Sequence, residues 1–468
     1  MLKRYFNLKK FISFLTVMLL FLSSIGFVIY TPANRINNSY EFLIIAPSIF
    51  SSGLIPLIDH KESLGISTKI VTLDEIFGGV YFPLKGRDNQ EQIKYFIKNA
   101  HENWSTSYIM LVGNKQDMPA RYVPVYLVTG NYTYYISDLY YADIYDEQGH
   151  FASWDTNNDD IFAGKEEDGF IDDVDLYPDV YIGRILCSNN EEIDTFVNKV
   201  INYENTAYNQ PWFNNFITCG ADDCRGLFME AILPFLLKRT GRIVFEGEYM
   251  GDQAANILSD FTTKKIYGTG LFSLDSKFLT NKNINDAINE GAGFLMFIGH
   301  GKPHIALSTQ FPFCKNIWLP KPSAYSISDV QTLSNGEKLP IAIFGGCNCG
   351  DFDALDCPVA WEFIKHSNGG AVASLACTSG ASILLTNLCT ETYHGHMIMT
   401  IFKSYKSGTD KIGEIWSDTI TNLLDDEEAL KLGDDFSILN WHNILENHRA
   451  IEIWTLFGDP TLKIGGYP

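Results

Sequence analysis

Leu339–Phe352, LPIAIFGGCNCGDF, is the stretch whose reading decides the fold. Pro340 to Phe344 is apolar, partly β-branched and uncharged, which is the composition of a parallel strand covered on both faces. Gly345 and Gly346 then let the chain turn sharply at the strand's carboxyl end, where ligands sit in open α/β sheets. Cys347 heads the loop that follows. On its own it reads either as a presented thiol or as a core residue, since free cysteine is among the most buried residue types. A matching stretch lies upstream. Gly293–Gly301, GFLMFIGHG, is a second buried strand that ends in Gly-His-Gly at its own carboxyl tip. Were the two strands adjacent and parallel, His300 and Cys347 would stand side by side at one edge of a sheet.

The same alternation extends outward in both directions. Glu41–Pro47, Thr68–Leu73, Tyr108–Gly113 and Val180–Ile185 read as strands, and Gln90–Trp104 and Asn190–Glu204 as helices. Between Asn131 and Pro178 the periodicity lapses into aromatic and acidic residues. A second series begins with a strand at Phe216–Ala221, a helix at Leu227–Thr240 and a strand at Arg242–Glu246. Helices at about 250–261 and 281–290 follow, then the His300 and Cys347 strands, a helix at Pro358–His366 and a small-residue strand at Gly370–Ala376. The C-terminal helices run to about Leu424, and the chain closes on Trp454–Ile464. This β-α-β order predicts an α/β fold with a mostly parallel, doubly wound sheet. The expected organisation is two lobes, 40–208 and 209–468, divided near Asn209–Pro211.

Composition narrows the function. With 468 residues, 46% apolar and 19% charged, the chain is an ordinary folded protein long enough for two domains. A net charge of −21 argues against nucleic acid, whose binding rests on Lys and Arg contacts to phosphate. Such acidity suits solubility or divalent cations better than anionic partners. Lys3, Arg4, Lys9 and Lys10 precede the uncharged apolar run Phe11–Tyr30. Residues 1–30 therefore read as a signal peptide or an uncleaved N-terminal membrane anchor, with the bulk of the chain outside. The expected location is extracellular or at the cell surface, and sequons at Asn37, Asn103 and Asn131 are compatible with it. All nine cysteines lie between Cys187 and Cys389, and an odd count in an exported chain leaves at least one thiol unpaired. Cys347 is the candidate for that free thiol, while Cys219 with Cys224 and Cys349 with Cys357 have spacings open to disulfides.

A cysteine and a histidine at adjacent strand tips are what nucleophilic acyl transfer requires. The thiolate attacks a carbonyl, and the imidazole assists its formation and later protonates the leaving amine. Gly301 N–H and Cys347 N–H form a reasonable pair of oxyanion donors, and the glycines flanking His300 permit the close approach this needs. A third group usually orients the imidazole, and the strand Phe216–Ala221 delivers Asp222 and Asp223 to the same edge. Either acid also suits an N-cap for the helix that follows.

LMFIGHGKPHIAL, LPIAIFGGCNCGDFD, GGAVASLACTSGAS and the closing WTLFGDPTLKI together resemble the gingipain-type cysteine peptidases of the caspase-like clan. YIMLVGNKQDMPARYV, ISDLYYAD and PDVYIGRI in the first lobe agree, so the resemblance covers roughly Tyr40 to Ile464. It implies a caspase-like three-layer α/β/α fold and a cysteine endopeptidase acting on protein or peptide substrates. In that pattern the cysteine followed by x-x-Gly-Asp-Phe is the nucleophile, which is Cys347 and not Cys349. The histidine of Gly-His-Gly is His300, and the acid after the first strand of the second lobe is Asp222, with Asp223 one step away. Arginine-specific members carry an acidic S1 residue whose matching place here is near Gly226, so a basic P1 preference is not implied. The same residues would serve a surface transpeptidase, and a non-catalytic binding module of this fold is the rival from another class. No cofactor is expected for catalysis, and the oligomeric state is left open.

Asp155–Glu166, DTNNDDIFAGKE, is the other candidate site. Asp155, Asn157 and Asp159 stand at positions 1, 3 and 5 of an EF-hand-type loop, with the Ile161 carbonyl at 7 and Glu166 at 12. Asp160 occupies position 6, where glycine is usual, and Asp168, Asp172, Asp173 and Asp175 offer further carboxylates. The alternative is a solvated acidic loop. The resemblance, whose family includes calcium-binding members, implies one structural Ca²⁺. His304 reads as ordinary, His394 and His396 as a chance pair, and a zinc site on Cys347, Cys349 and Cys357 lacks paired CxxC spacing.

Overall fold

The buried runs of the sequence become strands of one sheet in the computed structural model, which describes residues 39–126, 132–166, 169–221, 244–270, 273–308, 324–384, 386–431 and 446–468. The sheet strands are β1 (Phe42–Ala46), β2 (Thr68–Thr72), β3 (Tyr108–Val112), β4 (Tyr181–Ile185), β5 (Asn215–Gly220) and β6 (Thr262–Tyr267). They continue with β7 (Lys277–Phe278), β8 (Phe294–Ile298), β9 (Ile341–Phe344), β10 (Ala373–Cys377) and β11 (Trp454–Phe457). Their order is β7-β6-β5-β8-β9-β10-β11-β4-β3-β1-β2. Every residue of β1, β3, β8, β9, β10 and β11 is buried. Alternate side chains of a strand point to opposite faces, so both faces are covered and the layers are α/β/α.

Eight of the strand pairings are parallel within the two halves of the sheet. The joint between the halves is different. β11 runs antiparallel to β10 (Ser374↔Phe457, Cys377↔Trp454) and parallel to β4 (Phe457↔Arg184). The strands from residues 40–208 therefore point opposite to β5–β10, and the halves present their carboxyl ends at opposite edges. The C-terminal segment, inserted between them, makes the sheet continuous, and one buried cluster runs from Phe42 to Ile464.

The joint depends on glycine. A Cβ on Gly183 of β4 would lie 2.4 Å from the Gly458 carbonyl oxygen, and Gly458 N–H donates to Arg184 O at 3.0 Å. Beside it, the fully buried Lys61 ammonium bonds both oxygens of Glu204 and pairs with Asp459 Oδ2 at 2.7 Å. Burial pulls the Lys61 pKa down, but Asp459 and Glu204 outweigh it and leave it raised. The helices Ile55–Ser63 and Asn190–Thr206 are thereby tied to the turn after β11.

The sequence erred on the strand expected at Arg242–Glu246. Residues 244 and 245 are in neither helix nor strand, and Glu246 opens the helix Glu246–Ile257. The strand that follows is β6, TTKKIY, in which only Ile266 and Tyr267 are buried. It lies next to the edge strand β7, so polar residues sit where a central strand would be apolar. The expected helix at Leu227–Thr240 and the apolar run Phe11–Tyr30 fall outside the described residues. Among the described residues no helix is long and apolar enough to cross a membrane.

Candidate active site

β8 and β9 are adjacent and parallel, with Phe294 opposite Ile341 and Phe297 opposite Phe344. β5 flanks β8 on the other side. Three strands thus end together, and the residues after them meet. Gly299 turns at φ +152°, and His300–Lys302 leaves as a short strand paired with Ile305–Ser308. Ser308 Oγ donates to His300 O at 3.3 Å. After β9 the Gly345-Gly346 turn leads to Cys347. The two turns touch through their main chains: a Cβ on Gly346 would lie 3.0 Å from Gly301 N and 3.0 Å from Gly299 O. A Cβ on Gly301 would lie 2.6 Å from Cys347 O and 2.5 Å from Cys349 Sγ. Only glycine fits there, and its absence of a side chain brings the His300 and Cys347 backbones together.

The loop after Cys347 is stitched to the end of β10. Asn348, at φ 59°, donates its N–H to Ser379 O at 2.9 Å, and Gly350 N–H donates to Cys377 O at 2.9 Å. Asp351 Oδ1 accepts from the amides of Asp353 and Ala354, and the Phe352 ring lies under the buried Arg184 guanidinium, 5.1 Å away. The opposite half of the sheet also reaches in, with Lys115 Nζ 2.9 Å and Tyr122 Oη 2.6 Å from Asp353 Oδ1.

Among the described residues three thiols share this edge but differ in their environments. Cys347 is half-buried, and its Sγ accepts from Ala381 N–H at 3.2 Å. Cys349 is wholly buried, donates toward Ile305 O at 3.4 Å, and burial pushes its pKa well above the ordinary thiol range. Cys377 donates to Gly346 O at 3.2 Å, and burial pushes it up to about 12. A thiol held neutral by burial is a poor nucleophile, so Cys349 and Cys377 are core residues. The cysteines the structure describes are all free, so Cys349 and Cys357 form no disulfide, while Cys224, the expected partner of Cys219, lies outside the described residues.

Asp222 and Asp223 lie outside the described residues. Ala221, just before them, donates its N–H to Ile298 O at 2.8 Å, which puts the end of β5 beside the end of β8. A carboxylate that sequence reading assigned to a strand also reaches this edge. Glu246 is 1% exposed, and Gly247 beside it sits so close that a Cβ there would meet Ala221 O at 2.2 Å and Ile298 O at 2.8 Å. The Ala381 amide went unnoticed too, because a main-chain donor leaves no residue-type signal in a sequence.

The carboxylates of the acidic loop bond to its own backbone amides and to Arg87. Asp155 is buried and pairs with Arg87 while accepting from Asp159 N–H at 3.0 Å and Asp160 N–H at 3.1 Å. Burial raises its pKa, but Arg87 and these amides more than offset that and hold it below the usual carboxylate range. Asp159 Oδ1 accepts from Ile161 N–H, Asn157 Oδ1 accepts from Asp159 N–H, and Asp172 accepts from Thr156 and Gly164. Each of these oxygens keeps a further lone pair, and the side chain of Glu166 lies outside the described set. Among the described residues no three Asp, Glu, His or Cys side chains gather as a metal site. His394 and His396 do not form one either. His394 is buried against Trp454, which drives it down to about 3, and His396 pairs with Asp426 at 3.1 Å.

Fold and site together define an α/β protein that presents a thiol and an imidazole from neighbouring strand tips. Residues 35–465 match the sequence profile of peptidase family C25, and the chain belongs to that family. Gingipain R2 of Porphyromonas gingivalis is 21% identical over 93% of this chain, and the match covers 47% of that relative. Gingipain R1 of the same organism is likewise 21% identical over 93% of this chain and is covered over 35% of its length. The chain thus spans about half or less of the curated relatives it matches. The crystal structure of the Arg-specific cysteine proteinase gingipain R superposes with a TM-score of 0.56 at 19% identity, covering 93% of this chain and 80% of that one. The complex of Porphyromonas gingivalis RgpB pro- and mature domains gives 0.58 at 18% identity, covering 91% and 79%. At these identities the two structures speak for the fold.

Proposed function

We propose that this chain is an exported cysteine endopeptidase that hydrolyses peptide bonds in protein or peptide substrates. Cys347 Sγ attacks the scissile carbonyl, and His300 receives the thiol proton and passes it to the leaving amine. Water then releases the acyl group from the thioester with the same imidazole as base. The amides of Gly301 and Cys347 hold the oxyanion, and Asp222 orients His300. Residues 11–30 direct the chain outward as a signal or an anchor.

The observation that carries this reading is the main-chain contact between Gly301 and the Gly346–Cys347 turn, in a chain of a peptidase family. It sets a histidine and the half-buried Cys347 thiol on adjoining backbone. The test is cleavage of a denatured protein by the Cys347→Ala variant. A loss of about 10³-fold or more is expected, and undiminished cleavage overturns the assignment. A ligated product beside the hydrolysed one would redirect the reading to transpeptidation.

A further inference from the structure

The Cys347 sulfur is also held by the main chain of the loop that leaves β10. Ala381 N–H donates to Sγ at 3.2 Å, and Ala381 O lies 3.5 Å from the same atom. Ala381 belongs to the loop leaving β10, and the preceding carbonyl, Gly380 O, accepts from Arg449 Nη2 at 2.6 Å. Arg449 is 8% exposed on the helix Glu446–Glu452, which leads into β11. The Gly380 carbonyl and the Ala381 N–H belong to one planar peptide unit, and in the trans form they point in opposite directions. A guanidinium gripping the oxygen at one end therefore aims the N–H at the other. It also polarises the unit, since hydrogen bonds in a chain strengthen one another.

We propose that Arg449 is a positioning residue that acts through the Gly380–Ala381 peptide to hold and stabilise the Cys347 thiolate, with the Ala381 N–H as the group that touches sulfur. This rests on the reading of Cys347 as the nucleophile. A donor facing sulfur bonds the thiolate more strongly than the thiol, which lowers the pKa and raises the reactive fraction at neutral pH. Among the described residues, Cys347 has Cys349 on its own loop and Cys377 at the end of β10 as titratable neighbours, His300 follows the tip of the adjacent β8, and Arg449 faces the buried His394. Cys349 and Cys377 stay neutral in the working range because burial raises both.

The experiment is the pH dependence of iodoacetamide alkylation at Cys347, read by mass spectrometry on the full chain, with cleavage measured alongside. Arg449→Met is expected to raise the alkylation midpoint by about one pH unit, equivalent to about tenfold less thiolate below it. It lowers kcat with little change in KM. Arg449→Lys keeps the charge and a donor and recovers most of the shift. Gly380→Ala approaches the same bond from the other side, because its Cβ would press on Arg449 Nη2 at 3.3 Å, and it shifts the midpoint the same way. A purely structural role would lower the melting temperature and leave the midpoint in place. An unchanged midpoint in either folded variant, Arg449→Met or Gly380→Ala, overturns the proposal. Should alkylated wild-type protein still cleave, the nucleophile assignment itself fails instead.

Discussion

The edge where β8 and β9 end and the loop Asp155–Glu166 resemble each other as sequence. Each sets chemically capable side chains among turn residues at a spacing that suggests a site. In the folded chain they diverge. At the strand edge the turns are glycine, the main chains pack against each other, and the half-buried Cys347 is left at the surface of a rigid framework. In the acidic loop the carboxylates turn inward onto their own backbone amides and onto Arg87. The turns there are made by non-glycine residues at positive φ, Asn158, Asp160 and Ala163. Asn and Asp tolerate that region because their side chains bond the local backbone. The strand edge is shaped by close main-chain approach, the loop by side-chain oxygens that accept from their own turns.

Three measurements press on that contrast. The largest effect is expected from Gly301→Ala. Its Cβ would meet Cys349 Sγ at 2.5 Å and Cys347 O at 2.6 Å, so the two turns must separate. Misplacing reacting groups by about 1 Å costs about 10²-fold, and kcat/KM for a peptide substrate should fall that far while the protein stays folded. Wild-type kinetics would show that the close approach has no role.

Arg87→Ala should act on the other region through stability alone, by about 1–2 kcal/mol in chemical denaturation, since it leaves the buried Asp155 carboxylate without its cation. The sign with pH follows from the depressed Asp155. Its contribution is present above the ordinary carboxylate range and disappears as pH falls through the folded-state value. The variant should therefore lose part of the acid dependence of the wild type, and parallel pH profiles would contradict the pairing. The smallest effect is expected from calcium. Adding Ca²⁺ should raise the wild-type melting temperature by about 2–4 °C, because Asp155, Asn157 and Asp159 keep oxygen lone pairs for a cation. A melting temperature indifferent to Ca²⁺ and to a chelator would remove the site.

Legibility followed burial. β1, β3, β8, β9 and β10 were readable because each is an apolar run covered on two faces. β6 escaped because near an edge its first four residues stay partly or fully exposed. The choice of Cys347 over Cys349 was made in the sequence by Gly350-Asp351-Phe352, and the physical difference appears in the fold as half-burial against full burial. The FGDP segment was visible as a pattern. Its purpose, with Gly458 against Gly183 and Asp459 against Lys61, needed contacts across hundreds of residues.

By itself the sequence determined the α/β class, the family resemblance, and the His300 and Cys347 strands with their glycine turns, since strand burial and turn chemistry are local properties. The tertiary structure alone decided that the two halves of the sheet run in opposite directions about β11, that the acidic loop closes on itself, and that the Gly380–Ala381 peptide joins Arg449 to Cys347. Those outcomes depend on main-chain groups and distant partners, and neither leaves a mark in residue type at the position it serves.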